Sequence, residues 1–289
     1  MRSGFIGGAA ILFSCVLFAC TSFTVKYISS HFSGMSISFA RFVIGGVLAA
    51  GAIAVTRKNF RIIDRKSWLL RGVFGAVSMG LFYIGIHVTS SGRATLFADT
   101  YPVFVALFGI LIFGEKVAPG GIAGVALCLA GSVIVFYDGS SYPLIGNILC
   151  IGSAVTGGIA LHYLKKSREY HNSFLVYLSP CIIGAVMSAW AAPELVHPKG
   201  AHDLFFLFLV GLFAFAGQVV MSFGYRYVTP TQGSIVGTME ILFSVLLSNL
   251  FLHEEMTRRF FVGGAFILAG LVINQGDFFK AGLRRLRGK

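Results

Sequence analysis

Charge is scarce in this chain. Asp, Glu, Lys and Arg make up 12% of its 289 residues, and only 11 of these are acidic. A chain so poor in charge and so rich in apolar residues cannot cover a water-facing surface, which excludes a soluble globule. Alternation with period two over about ten residues, the mark of a membrane β-barrel, is also missing. No HExxH, GxSxG or phosphate-loop pattern occurs, so zinc-protease, α/β-hydrolase and P-loop ATPase chemistry has no anchor. The five cysteines, Cys15, Cys20, Cys128, Cys150 and Cys181, lie in apolar runs without metal-ligand spacing. They read as packing residues, and neither a metal nor a cofactor is expected.

Apolar mass fills the place of charge. The chain is 56% hydrophobic, with 29 Phe and 36 Gly. A helix needs about 20 apolar residues to cross a hydrocarbon core, and such runs recur along the whole length. The spans expected are Gly4 to Val25, Ser33 to Val55, Trp68 to Thr89, Ala94 to Phe113 and Pro119 to Tyr137, followed by Tyr142 to Leu164, Asn172 to Ala192, Asp203 to Tyr225, Thr229 to Leu252 and Phe260 to Asn274. The expected fold is therefore an all-α integral membrane protein of ten transmembrane helices.

These spans fall into two copies about 139 residues apart. Tyr101-Pro102-Val103-Phe104 answers to Glu240-Ile241-Leu242-Phe243, and Phe113-Gly114-Glu115 to Leu252-His253-Glu254. Gly124, Ala126 and Leu129-Ala130-Gly131 then match Gly263, Ala265 and Leu268-Ala269-Gly270 in unbroken register. Five spans per copy place the two copies upside down relative to each other, an arrangement of many secondary transporters. The units expected are residues 1–138, residues 139–279 and a basic tail, 280–289.

The net charge of +12 is a matter of topology rather than of nucleic-acid binding. With the amino terminus inside, Arg2, Arg57, Lys58, Arg61, Arg65, Lys66, Arg71, Lys116, Lys165, Lys166, Arg168, Arg226 and the tail share one side. Lys26, Arg93, Lys199, Arg258 and Arg259 are left on the other. That bias puts both termini in the cytoplasm. Leu17-Phe18-Ala19-Cys20 imitates a lipoprotein cleavage box, but Gly7 and Lys26 have counterparts in Gly146 and Lys165, so the first span is read as retained.

In their order and spacing, several marks resemble the ten-helix EamA-type members of the drug/metabolite transporter superfamily. They are Phe18 to Tyr27, Arg41-Phe42, the run from Tyr83 through Gly92-Arg93-Ala94 to Phe104, and the Gly114-Glu115 helix end. The resemblance covers about Gly4 to Gln275. It implies an inner-membrane permease for a small organic metabolite, an amino acid or related compound, with export the expected direction. The second copy departs from the pattern at Ile241, where a proline is common, and Pro180 stands opposite Arg41.

Ionisable groups deep in a bilayer are costly and mark sites or internal pairs. Arg41 and Asp99 share a depth, and the plainer expectation is an interhelical ion pair; the sharper one is a cavity-facing Asp99 that binds a cation or a proton. Glu240 lies mid-span, where burial disfavours its charged form and fits proton coupling. Tyr83, Tyr101, Gln218, Tyr225 and His87 are the candidates to complete a midplane site, with Gln218 and Tyr83 the deepest and His87 near an outer helix end. Pro102 is expected to kink the fourth span. Glu115 and Glu254 read as helix-end caps, and Trp190 as an interfacial anchor. A non-transporting scaffold and a lipid-modifying enzyme remain open as alternatives.

Overall fold

Helices alone satisfy an open-ended backbone placed in lipid, and every regular element among the described residues is helical. The computed structural model describes residues 2–113, 119–137, 139–196, 200–228, 230–252, 257–270 and 273. The first half holds α1 (Arg2–Ile28), α2 (Gly34–Val55), α3 (Arg65–Val88), α4 (Ser91–Ala98), α5 (Tyr101–Phe113) and α6 (Pro119–Phe136). The second holds α7 (Leu144–Tyr170), α8 (Ser173–Ser188), a 3-10 turn Ala189–Val196, α9 (Ala201–Gly224), α10 (Pro230–Gly237) and α11 (Met239–Leu247). A π turn, Ser248–Leu252, extends α11, and residues 258–270 are helical. Seven of the described helical segments are long and apolar enough to cross a membrane. Glu115, Glu254 and the tail from residue 280 lie outside the described residues.

Polarity is distributed inside out. Ser14, Ser22, Ser38, Thr95, Asn147 and Ser179 are buried, whereas Phe5, Val47, Leu111, Val186 and Phe251 are exposed. Hydrocarbon outside reverses the usual sorting, because polar atoms find partners only within the bundle. Helix starts are fixed locally by side-chain caps. Asp64 accepts from the Ser67 amide at 3.0 Å, and Ser90 from Arg93 at 3.1 Å. Ser33 and Asn172, which correspond between the copies, cap α2 and α8 in the same way.

The copies interleave. α3 packs along α7 as α9 packs along α1, α3 meets α8 as α9 meets α2, and α2 and α8 lie against each other. Matched glycines make the first two seams close. Gly85 abuts Cys150 and Gly146, and Gly146 abuts Thr89; correspondingly, Gly224 abuts Ile11 and Gly7, and Gly7 abuts Val228. Small residues at such crossings let helix backbones approach.

Two lysines close the scheme. Lys26, at the end of α1, donates to the Thr89 carbonyl and, at 3.4 Å, to Ile86. Lys165, near the end of α7, donates to Tyr225 at 2.8 Å and Val228 at 3.1 Å. These acceptors correspond at the same offset as the lysines themselves. The start of α1 therefore shares an end of the bundle with the end of α7, and the two helices run in opposite directions. Gly139, with φ of 79°, provides the left-handed turn between the halves.

A leucine at Gly85 would drive its side chain into Cys150 and the α7 backbone. Gly85→Leu should lower stability by about 1–3 kcal/mol or more. Gly51→Leu, where the structure leaves open space, should be tolerated. Thermal unfolding of the two purified variants checks the contrast.

Candidate functional site

The fourth and ninth spans, expected as continuous helices, are each interrupted. α4 ends at Ala98 and α5 resumes at Tyr101, while α10 ends at Gly237 and α11 resumes at Met239. These breaks correspond between the copies. Pro102 stands in the first turn of α5, where a missing N–H costs nothing. Ile241 occupies its place in the second copy, so proline is not what makes the second break.

An interrupted helix leaves carbonyls that need donors. In the first half Thr100 Oγ1 donates to Phe97 O at 2.7 Å. In the second, the Cys15 thiol points at the carbonyls of Val236 and Gly237, 3.4 Å from each. The Tyr101 hydroxyl lies against Gly237, in space that any side chain there would occupy.

The breaks flank a cavity of about 160 Å³ between the halves. All six site residues read from the sequence line it: Glu240, Asp99, Arg41, Gln218, Tyr83 and Tyr101. Asp99 and Glu240 sit one at each break and are electrostatic neighbours. Among the described residues, Asp99 Oδ2 and the Tyr83 hydroxyl have no hydrogen-bond partner. Phe18, Phe82, Met79 and Leu161 supply apolar wall. The ring faces of Phe42 and Tyr83 lie 5.2 and 5.4 Å from the Arg41 guanidinium.

Three expectations are corrected. Arg41 and Asp99 form no ion pair; the Arg41 guanidinium turns to the two rings and to the Met79 sulfur instead. Equal depth in sequence does not fix the direction in which a long side chain extends. Arg71, assigned to the cytoplasmic surface, is buried at 4% exposure and donates from Nη2 to Gln218 Oε1 at 3.0 Å. Its place nearly two turns inside α3 was readable, but a charge near a span end looks like any topology anchor. Arg93, assigned to the opposite surface, is buried as well, with donors on Val135 O and Ser140 Oγ and its guanidinium near the Tyr142 ring.

Tyr225, a further candidate from the sequence, lines the cavity too, whereas sequence reasoning passed over Cys15, Ser14, Ser78 and Ser153. The repeat itself held a signal for some of them, since Ser14 corresponds to Ser153 and both face the cavity. Trp190 is 70% exposed in the 3-10 turn that follows α8. Among the described residues no cluster of His, Cys, Asp and Glu could hold a metal ion.

A polytopic helical bundle with a polar cavity between two copies is the build of a membrane transporter. The chain belongs to the EamA-like transporter family, whose model matches it twice, over residues 5–137 and 144–275. It is 30% identical over 212 residues to solute carrier family 35 member G1 of Mus musculus, a match that takes in 68% of this chain and 57% of that protein. The chain thus spans little more than half the length of that relative. Similarity to the pseudopaline exporter CntI of Pseudomonas aeruginosa is lower, at 21% identity, but covers 86% of this chain and 88% of the exporter. A solved crystal structure shares the fold, with a TM-score of 0.65 at 18% identity over 94% of this chain and 96% of the other.

Since the second break forms without proline, Pro102→Ala should leave the α4–α5 interruption in place. Its effect on stability is expected to stay within about 1 kcal/mol, with thermal unfolding and vesicle transport as the measurements.

Proposed function

We propose that this chain is a secondary-active permease moving a small organic metabolite, an amino acid or related compound, across a bacterial inner membrane by alternating access. The reading takes ten helices as two inverted five-helix repeats, residues 1–138 and 139–279, with both termini cytoplasmic. Export is the proposed direction, which the likeness to a named exporter supports. Protons are the proposed coupling ion.

The carrying observation is the cavity that both interrupted helices open upon, with Asp99 at one break and Glu240 at the other. An interrupted helix can swing its two halves separately, and two such helices on opposite flanks suit a site exposed to each side in turn. The neighbouring carboxyls suit a shared proton, because two negative charges in a low-dielectric space disfavour each other. The charge imbalance that orients the chain survives the removal of Arg71 and Arg93 from the tally.

In vesicles with an imposed proton gradient, Glu240→Gln is expected to abolish the pH dependence of transport while leaving membrane insertion intact. Unchanged transport would remove Glu240 from the mechanism. Accessibility labelling of single-cysteine variants at positions 165 and 289 should report the same, cytoplasmic, side; labelling from opposite sides would overturn the topology.

A further inference from the structure

Guanidinium groups inside a hydrocarbon layer call for negative charge or for many acceptors. Arg41 and Arg71 are 3% and 4% exposed, line the same cavity and are electrostatic neighbours of each other. Neither pairs with a carboxylate among the described residues. Each guanidinium has five N–H donors. Arg71 spends one on Gln218, Arg41 turns one to the Met79 thioether, and the Nε of both lacks an acceptor among the described residues.

The carboxyls do not fill this need. Asp99 and Glu240 neighbour each other and Cys15 at the helix breaks. Tyr83 lies within electrostatic reach of both Arg41 and Glu240, and Tyr225 of both Arg71 and Asp99.

Nor do the arginines belong to the repeated scaffold. Lys26 and Lys165 correspond and do the same structural work, whereas Arg41 corresponds to Pro180 and Arg71 to Val210. The bundle closes in the second copy without either cation. Both arginines therefore answer to the cavity's contents rather than to its walls.

We propose that Arg41 and Arg71, the latter oriented by Gln218, form a subsite for the oxyanion group, carboxylate or phosphate, of the transported solute, whose apolar body lies against Phe18, Phe82 and Leu161. The proposal rests on the permease reading. A planar guanidinium meets either oxyanion with two parallel hydrogen bonds, which an ammonium cannot do. An anion here also offsets two buried positive charges at once.

The test uses the full chain in lipid nanodiscs and four probes that share one branched apolar body: isocaproate, isopentyl phosphate, isopentanol and isopentylamine. Calorimetric titration should show at least one anion binding about tenfold or more tightly than the alcohol and the amine, and the preferred anion distinguishes carboxylate from phosphate. Arg41→Gln and Arg71→Gln should each erase that preference, and Arg71→Lys should restore part of it. Equal binding of all four probes, no binding of either anion at millimolar concentration, or an intact preference in both Gln variants would overturn the subsite. The wild-type comparison decides by itself if a variant does not insert. Counterflow of a metabolite extract in proteoliposomes separates the two readings. Exchange confined to neutral or cationic solutes removes the subsite and leaves a permease, and no exchange at all removes the permease.

Discussion

A carbonyl without a donor cannot stand in hydrocarbon, and this chain has to end or interrupt helices within its bundle. The ends of α3 and α9 are met by the ammonium groups of Lys26 and Lys165. The interruptions between α4 and α5 and between α10 and α11 are met by a hydroxyl and a thiol. With these donors in place the chain can open a polar cavity between its halves. Without them, an unbroken helix would be the cheaper solution on both flanks.

The two halves share a scaffold and divide the chemistry. Glycine seams, helix caps and lysine staples recur at corresponding positions, and the breaks fall together. Apart from the matched Ser14 and Ser153, the polar cavity residues diverge: Asp99 has a threonine as its counterpart, Glu240 a tyrosine, Gln218 a methionine and Arg41 a proline. A cavity astride a symmetry relation would have two equivalent ends if its lining were repeated. Here both arginines that line the cavity come from the first copy, so its two ends differ.

Much of the scaffold was legible because lipid imposes length and because the register held. The offset that aligned Lys26 with Lys165 also aligned their acceptors, and the odd number of spans expected in each copy called for opposed directions, as α1 and α7 run. The six residues read as a site line one cavity; they were read from the cost of ionisable groups at depth and from the few polar groups a pocket needs, which are local properties of each span. What escaped were properties of pairs. Whether Arg41 reaches Asp99 or Met79 depends on side-chain direction, and whether Arg71 faces solvent or Gln218 depends on the rotation of α3. The second helix break also escaped, since Gly237-Thr238 carries no proline and its thiol donor, Cys15, lies at the far end of the chain.

Interleaving has a consequence for how such a protein holds together. The first helix of each copy finds its closest partner in the third helix of the other copy, so a single copy leaves that seam open and completes it only by meeting a second, inverted one. Neither half is therefore finished without the other, and a cut in the chain near Gly139 would leave two pieces that still need each other to cover their first helices.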